Sequence, residues 1–395
     1  MVKISGISGL MATGKSISKL TAPPYDVIKE GTQLWGSLKK TPESLFHVTL
    51  GEKPLEALSF LLKNNYLVKI KKPVFVVYEQ RWGGGRRIGL FAAVQVHDYY
   101  KPELDESKRI IRHEKTFPEK VAGRVALAKK LGYTAEPVFL LTKAGISAVL
   151  DEISLSNPKD FSIPPIEFKS SFAGETDLNG ISTKLFFVED NSAFGKKLIE
   201  LALKHPMYIA DGHHRYEAAL QNQQKTCLAY VVERADILAY DRLITPRHGV
   251  NIKNVLKSLK ANIVPCFETP LRHSFCIYTK AGIYQYSANA DESNPIERLD
   301  CRILERTLYE KLGLSHDDIM NLDHFYYLPE NQMETMKRMV DMSEYQMAAA
   351  LHPVSISELM AVADAGLIMP EKSTFFSPKI LSGIVLLKQQ NSTDD

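Results

Sequence analysis

Apolar positions along this chain switch repeatedly between helical and alternating spacing, and the switches mark its elements. Residues 55–67 repeat apolar side chains at helical spacing and run out near Asn64-Asn65, which predicts an amphipathic helix. Residues 74–78 are a continuous apolar run rich in valine and aromatics, residues 88–94 repeat it, and Gly83-Gly84-Gly85 between them predicts a hairpin. Arg81, Arg86 and Arg87 flank that turn and read as a solvated, charged tip. A helix over 118–131 opens on Pro118, whose missing N–H costs nothing in a first turn. Residues 137–141 and 185–188 read as strands, with a looser stretch between them that contains Ser156-Asn157-Pro158 and Pro164-Pro165 and suggests a boundary. A helix over 192–204, a strand over 207–210, a helix-forming run at 216–221 and a strand over 227–232 follow. Beyond residue 250 helix and strand alternate, with an acidic loop at Asp291-Glu292 and a last strand over 384–387. No repeat of solenoid length is present. The pattern predicts an α/β chain of the α+β kind, with mixed sheets and several hairpins. Three regions are expected: 1–155, 156–250 and 251–395.

Composition narrows the partners. The 395 residues carry 49 Lys+Arg against 46 Asp+Glu, a formal net charge of +3, so no broad basic surface is expected for duplex nucleic acid. No apolar run approaches the roughly 20 residues of a membrane span. Cys227, Cys266, Cys276 and Cys301 form no CxxC pair, which argues against a zinc knuckle or a redox dithiol. With no signal-like apolar core after Met1, a cytoplasmic protein is the expectation. Cys301 falls in a helix-like run and reads as a core thiol.

Four polar clusters interrupt the apolar pattern. The sharpest is Asp211-Gly212-His213-His214-Arg215, where a short buried strand turns directly into a helix. Glycine permits a tight turn and close approach of a ligand. The unpaired N–H groups and positive dipole end of a helix's first turn favour an anion there. Arg215 adds a fork for phosphate or carboxylate, His213 and His214 can exchange protons near neutrality, and Asp211 can accept a hydroxyl proton or bind magnesium. Otherwise Asp211 is a plain helix cap and the histidines are surface residues. Arg112-His113-Glu114, followed by Thr116, is the second cluster. There Glu114 is a candidate base and Arg112 and His113 are candidate anion ligands, unless the segment is a solvated turn. Pro23-Pro24-Tyr25-Asp26 presents a phenol and a carboxylate on a rigid turn, unless these only cap neighbouring backbone. Lys372-Ser373-Thr374, with Lys379 beyond it, forms a loop that can contact phosphate, unless it is an ordinary loop before the last strand. Gly9 to Ser16 matches the Walker A expression, but its strand is interrupted and Pro23-Pro24 ends any following helix, so a surface turn is expected instead.

Taken in order, Pro23-Pro24-Tyr25-Asp26-Val27, Arg112-His113-Glu114 with Thr116, Tyr208 to Tyr216, and Met369 to Lys379 resemble a bacterial and archaeal family catalogued as a domain of unknown function. The resemblance spans nearly the whole chain. Glu371 stands where that family commonly has a second proline, and Gly123 where an aspartate commonly precedes the arginine at Arg124. The Asp211–Arg215 element is also similar to one in free serine kinases of the ParB/sulfiredoxin-like superfamily. That resemblance implies a ParB/sulfiredoxin-like core with additional α/β segments, and phosphoryl transfer on serine or phosphoserine in either direction. It implies ATP or ADP with Mg2+, and a phosphate site lined by Asp211, Gly212, His213, His214 and Arg215. Arg112, His113, Lys372, Ser373 and Thr374 are then expected around phosphate or nucleotide, Tyr25 and Asp26 around the substrate, and Glu114 as base by role. A nucleotide-binding regulator of the ParB type, without phosphoryl transfer, is the competing expectation, and a non-catalytic scaffold the third.

Overall fold

The computed structural model describes residues 2–100, 110–174 and 176–390; the polar run from Lys101 to Arg109 lies outside them. Contacts divide the chain into two compact units. One comprises Met1–Arg112, Thr116–Ala235 and Pro378–Asp395, the other His113–Lys115 and Asp236–Ser377. This grouping does not follow the serial borders expected at 155 and 250, because the C-terminal segment returns to the first unit. There Val385–Lys388 pairs antiparallel with Gly9–Ala12.

The first unit is built on a nine-stranded mixed sheet. Its order is Ile110–Ile111, Met207–Asp211, Val138–Thr142, Thr226–Val232, Gly85–Gln95, Val74–Trp82, Ser182–Glu189 and Ile163–Lys169, with Ile4–Ser5 also on Gly85–Gln95. Continuous apolar runs became central strands because both faces are covered. Phe75, Val77, Leu140, Ile209 and Val231 lie in one core. The predicted hairpin is present, with Tyr78 opposite Gly89. Its charged tip departs from expectation: Arg87 is buried, and so is Glu79, which receives both Arg81 and Arg86. The helix Pro118–Leu131 ends on Gly132 at φ 68, the left-handed stop that glycine adopts at low cost. The stretch around Pro164-Pro165, read as a loose boundary, is the edge strand Ile163–Lys169. Prolines fit there because an edge strand needs pairing on one side only, and its register shifts beside them.

A second, four-stranded sheet of Leu67–Lys69, Gly9–Ala12, Val385–Lys388 and Tyr133–Thr134 absorbs the Walker-like segment. Gly9 is needed for packing, since a Cβ there would collide with the Leu386 carbonyl oxygen. The helix after it, Ile17–Leu20, is a single turn. This is no phosphate loop.

The second unit carries an antiparallel six-stranded sheet in the order Asn262–Ile263, Gly282–Ser287, Ser274–Thr279, Met347–Leu351, Tyr240–Ile244 and Phe325–Pro329. Met336 and Val340 of the Met333–Asp341 helix pack against Leu243, Cys276, Ala348 and Ala350. The helical run expected around Cys301 begins as Asp300–Leu304 and continues as the π-helical turn Glu305–Tyr309, and Cys301 is a buried thiol. The chain is thus a mixed α/β protein, as the pattern predicted. Among the described residues no helix is long and apolar enough to cross a membrane.

Candidate functional site

The strand Met207–Asp211 sits between a parallel and an antiparallel neighbour and ends at Asp211. Gly212 follows at φ 91, in the left-handed region, and the helix His213–Gln221 begins at once. A Cβ on Gly212 would lie 2.9 Å from the Arg215 Nε, so glycine is required twice, by its torsion and by the arginine folded back over it.

That arginine does not point outward. Arg215 is buried, donates through Nη1 to the Pro137 carbonyl, and lies 3.4 Å from Asp211 Oδ1. The other carboxylate oxygen, Asp211 Oδ2, accepts from the Lys379 amine at 2.9 Å. Burial alone would raise the Asp211 carboxyl, but Lys379 first and Arg215 next outweigh it and hold it well below the usual carboxylate range. Burial would likewise lower Lys379, yet Asp211 and then Asp26 keep it charged far above neutrality.

The sequence places Lys379 only at the far end of a loop able to contact phosphate, with no link to Asp211. It is placed by its own backbone: its N–H donates to Asp177 Oδ2 at 2.9 Å, and its carbonyl accepts from Gln80 Nε2 at 3.2 Å. Arg87, the buried hairpin arginine, holds the preceding Pro378 carbonyl and bonds Gln80 Oε1 at 2.6 Å. The signal was the lysine that closes the Met369–Lys379 motif.

His214, Tyr25 and Asp26, predicted residues of the first unit, interact electrostatically with members of this triad. His214 accepts the Phe117 N–H on Nε2 at 3.0 Å and stacks on the Phe117 ring. Burial, then the charge of Lys120, lowers it to about 4, so it is a neutral imidazole whose remaining N–H is Nδ1. His213 is buried in the helix's first turn. Tyr25 donates its N–H to Glu136 Oε1 at 3.0 Å, and Glu136 Oε2 takes Arg124 Nη1 at 3.0 Å, while Arg124 lies over the Tyr25 ring. Burial raises the Tyr25 phenol to about 12 against the pull of Arg215. Asp26, in the same 3-10 turn, acts electrostatically on Lys379, Arg215 and His214. Arg112 packs its guanidinium over the Tyr99 ring, 4.3 Å from the centroid.

The remaining predicted residues belong to the second unit, where two motifs meet: the Met369 N–H donates to the His113 carbonyl at 2.8 Å. His113 is buried and Glu114 partly buried. Ser373 donates to the Pro370 carbonyl at 2.6 Å and to the Cys301 thiol at 3.2 Å, while Lys372 and Thr374 remain partly exposed. Lys372 stands in the left-handed region at φ 59.

Asp211, the expected magnesium ligand, is engaged otherwise. Both Asp211 oxygens face cations, and the described residues hold no group of three or more His, Cys, Asp or Glu side chains able to bind a metal. The arrangement instead offers fixed positive charge beside helix N–H groups, chemistry suited to holding a transferable anionic group.

Among solved structures, the chain resembles a free serine kinase in complex with AMP at 10% identity, covering 71% of this chain and 88% of that one, with a TM-score of 0.36. A conserved hypothetical protein from Pyrococcus furiosus matches at 10% identity over 71% and 91% of the two chains, TM-score 0.34. SbnI with C-terminal truncation, from Staphylococcus aureus, matches at 13% identity over 70% and 84%, TM-score 0.36. Likeness of this degree puts no residue of this chain in correspondence with theirs. No curated protein matches the chain. The family profile DUF1015, described as a protein of unknown function, matches residues 4–302, and the chain belongs to that family.

Proposed function

We propose that this protein transfers a phosphoryl group to or from a small molecule, with free serine or phosphoserine the favoured substrate and ATP or ADP the nucleotide. The observation that carries the reading is the Asp211–Lys379–Arg215 triad, set where a central strand turns through Gly212 into a helix. Phosphoryl transfer asks a protein mainly for positioning and for charge placed around the moving group. In this reading the Lys379 ammonium and the N–H groups at the start of the His213–Gln221 helix meet the phosphate. His214 contributes a neutral donor from Nδ1. Arg215, already bonded to Pro137 and Asp211, keeps the turn in shape. Asp211, so strongly acidic, is a poor proton acceptor near neutrality and serves to orient Lys379. Arg112 is assigned as an accessory anion contact, and Tyr25 with Asp26 as the substrate-facing turn.

Purified full-length protein incubated with labelled ATP or ADP plus serine, and separately with phosphoserine, tests the reading. Phosphoserine formation, or phosphate released from phosphoserine, is expected. Lys379→Met should lower the rate roughly 100-fold, the usual cost of deleting one preorganised charge donor. Nucleotide binding with no turnover in either assay would replace the enzyme with a nucleotide-binding regulator. Neither binding nor turnover would remove both.

A further inference from the structure

Arg242 is the most deeply buried arginine of the second unit, 2% exposed, at the centre of the strand Tyr240–Ile244. Burying a guanidinium costs several kcal/mol unless a counter-charge is supplied. Here no described carboxylate pairs with it. Its Nε donates to the Tyr309 phenol at 3.0 Å, Nη1 to the Tyr240 carbonyl, and Nη2 to the Lys372 carbonyl at 3.5 Å, the limit of a hydrogen bond. Three of the five guanidinium N–H groups are thus used, which leaves one on each terminal nitrogen. Each of those two can donate to an oxygen of a carboxylate or phosphate.

The surroundings are built around that cation. The π-helical turn Glu305–Tyr309 delivers the Tyr309 hydroxyl, and π turns recur at functional sites. The Tyr327 ring lies 5.6 Å from the guanidinium carbon. Lys372 brings a second cation, its amine 5.5 Å from the Tyr240 ring centroid. The Thr374 hydroxyl has no hydrogen-bond partner among the described residues, whereas Ser373 is spent on Pro370 and Cys301. Acids in this unit are occupied elsewhere: Glu305 holds Arg302 and His316, and Glu371 faces His316 at 3.5 Å. Asp241, next in sequence, is kept protonated at neutral pH by its burial.

We propose that the second unit carries an oxyanion site of its own, in which the Arg242 guanidinium and the Lys372 amine bind a phosphate group, with Tyr309 and Thr374 completing the contacts. An arginine serving only to brace the strand would need neither a second cation nor free N–H groups. The long contact to the Lys372 carbonyl holds the place that an incoming oxygen takes. Two cations and no paired acid favour a dianion over a monoanion, hence phosphate over carboxylate. This proposal does not rest on the phosphoryl-transfer reading of the first unit.

The test uses the full chain with inorganic phosphate as probe and acetate as the carboxylate arm, read by hydrogen exchange at residues 370–376. Lys379→Met serves as the background that disables the first unit's cation. Phosphate is expected to slow exchange of this loop equally in the native protein and in Lys379→Met. Lys372→Met should weaken its apparent Kd about tenfold, and Arg242→Lys, which keeps charge but loses the guanidinium, should abolish the effect with the circular dichroism spectrum unchanged. Protection by acetate but not phosphate would keep the oxyanion site and make its ligand a carboxylate. Absence of protection by either anion, or equal affinity in Lys372→Met, would overturn the proposal, whatever the first unit does with serine or nucleotide.

Discussion

Asp241 should make the stability of the second unit fall as pH rises. Its side chain is fully buried, one oxygen accepts the Leu351 N–H at 3.2 Å, and the other, Oδ2, has no partner. Burial pushes the carboxyl from the ordinary 3.8 up to about 8, and the Leu351 hydrogen bond and Arg242 pull the other way without winning. The folded chain therefore binds this proton more tightly than the unfolded chain. Stability is fully retained below about pH 4, declines as pH rises through the interval up to about 8, and levels off above it. At about 1.4 kcal/mol for each pH unit, the portion lost between pH 5 and pH 9 is about 4 kcal/mol. Relaxation around the ionised carboxylate reduces this to about 2–4 kcal/mol. Asp241→Asn keeps the acceptor for Leu351 and cannot ionise. Urea unfolding followed by far-ultraviolet circular dichroism at pH 5, 7 and 9 compares the two proteins, and their difference cancels every other titrating group. Both tryptophans, Trp35 and Trp82, lie in the first unit, so fluorescence recorded in parallel reports that unit instead. The variant should gain on the native protein steadily with pH in the dichroism transition. Parallel pH profiles would refute a buried neutral Asp241.

Three further outcomes follow from the geometry. Lys379→Met and Asp211→Asn should each destabilise the first unit by about 3 kcal/mol, but the double variant by much less than their sum, since each single change strands a buried charge; additive unfolding energies would show that the pair is not coupled. Gly212→Ala should cost about 2 kcal/mol through its left-handed torsion and its collision with Arg215, and a thermal midpoint within 1 °C of the native value would contradict this. Iodoacetamide should alkylate Cys266 first, because Cys227, Cys276 and Cys301 are buried and burial raises all three thiols, Cys227 to about 12; peptide mass spectrometry showing faster labelling at another cysteine would reverse that order.

The turn at Asp211 was legible because its signal is local. An apolar strand, a glycine where only a left-handed residue fits, and a helix-forming run occupy the consecutive positions 207–221, and so does its chemistry. Long-range partners are a different matter. Arg87 reads as solvent-facing beside three glycines, and it is buried only because Pro378, Phe139 and Tyr230 arrive from distant parts of the chain to cover it. Lys379 sits 168 positions from Asp211, so no window of sequence holds the pair. Its motif could be quoted, but its place beside Asp211 depends on the C-terminal strand pairing with Gly9–Ala12. Pro164-Pro165 misled for a related reason: proline argues against a central strand, and whether a strand is central or at an edge is a property of the whole sheet.

What the first unit adds to the local pattern is the direction in which each titratable group has been pushed. Asp211 is held ionised, Tyr25 is pushed up to about 12 and stays protonated, and His214 is lowered to about 4 with Nε2 already accepting from Phe117. A general acid or base works best with its pKa near the working pH. None of these three meets that condition, although a histidine pair beside an aspartate suggested proton exchange. The lowered imidazole and the raised phenol both follow from desolvation, and the acidic Asp211 follows from two cations that burial cannot outweigh. The same burial that removes them from proton transfer strengthens their electrostatics, because fixed charges count for more where water is excluded. The turn is therefore arranged to hold fixed charge rather than to move protons, and under the phosphoryl-transfer proposal the proton acceptor has to be a group other than these three.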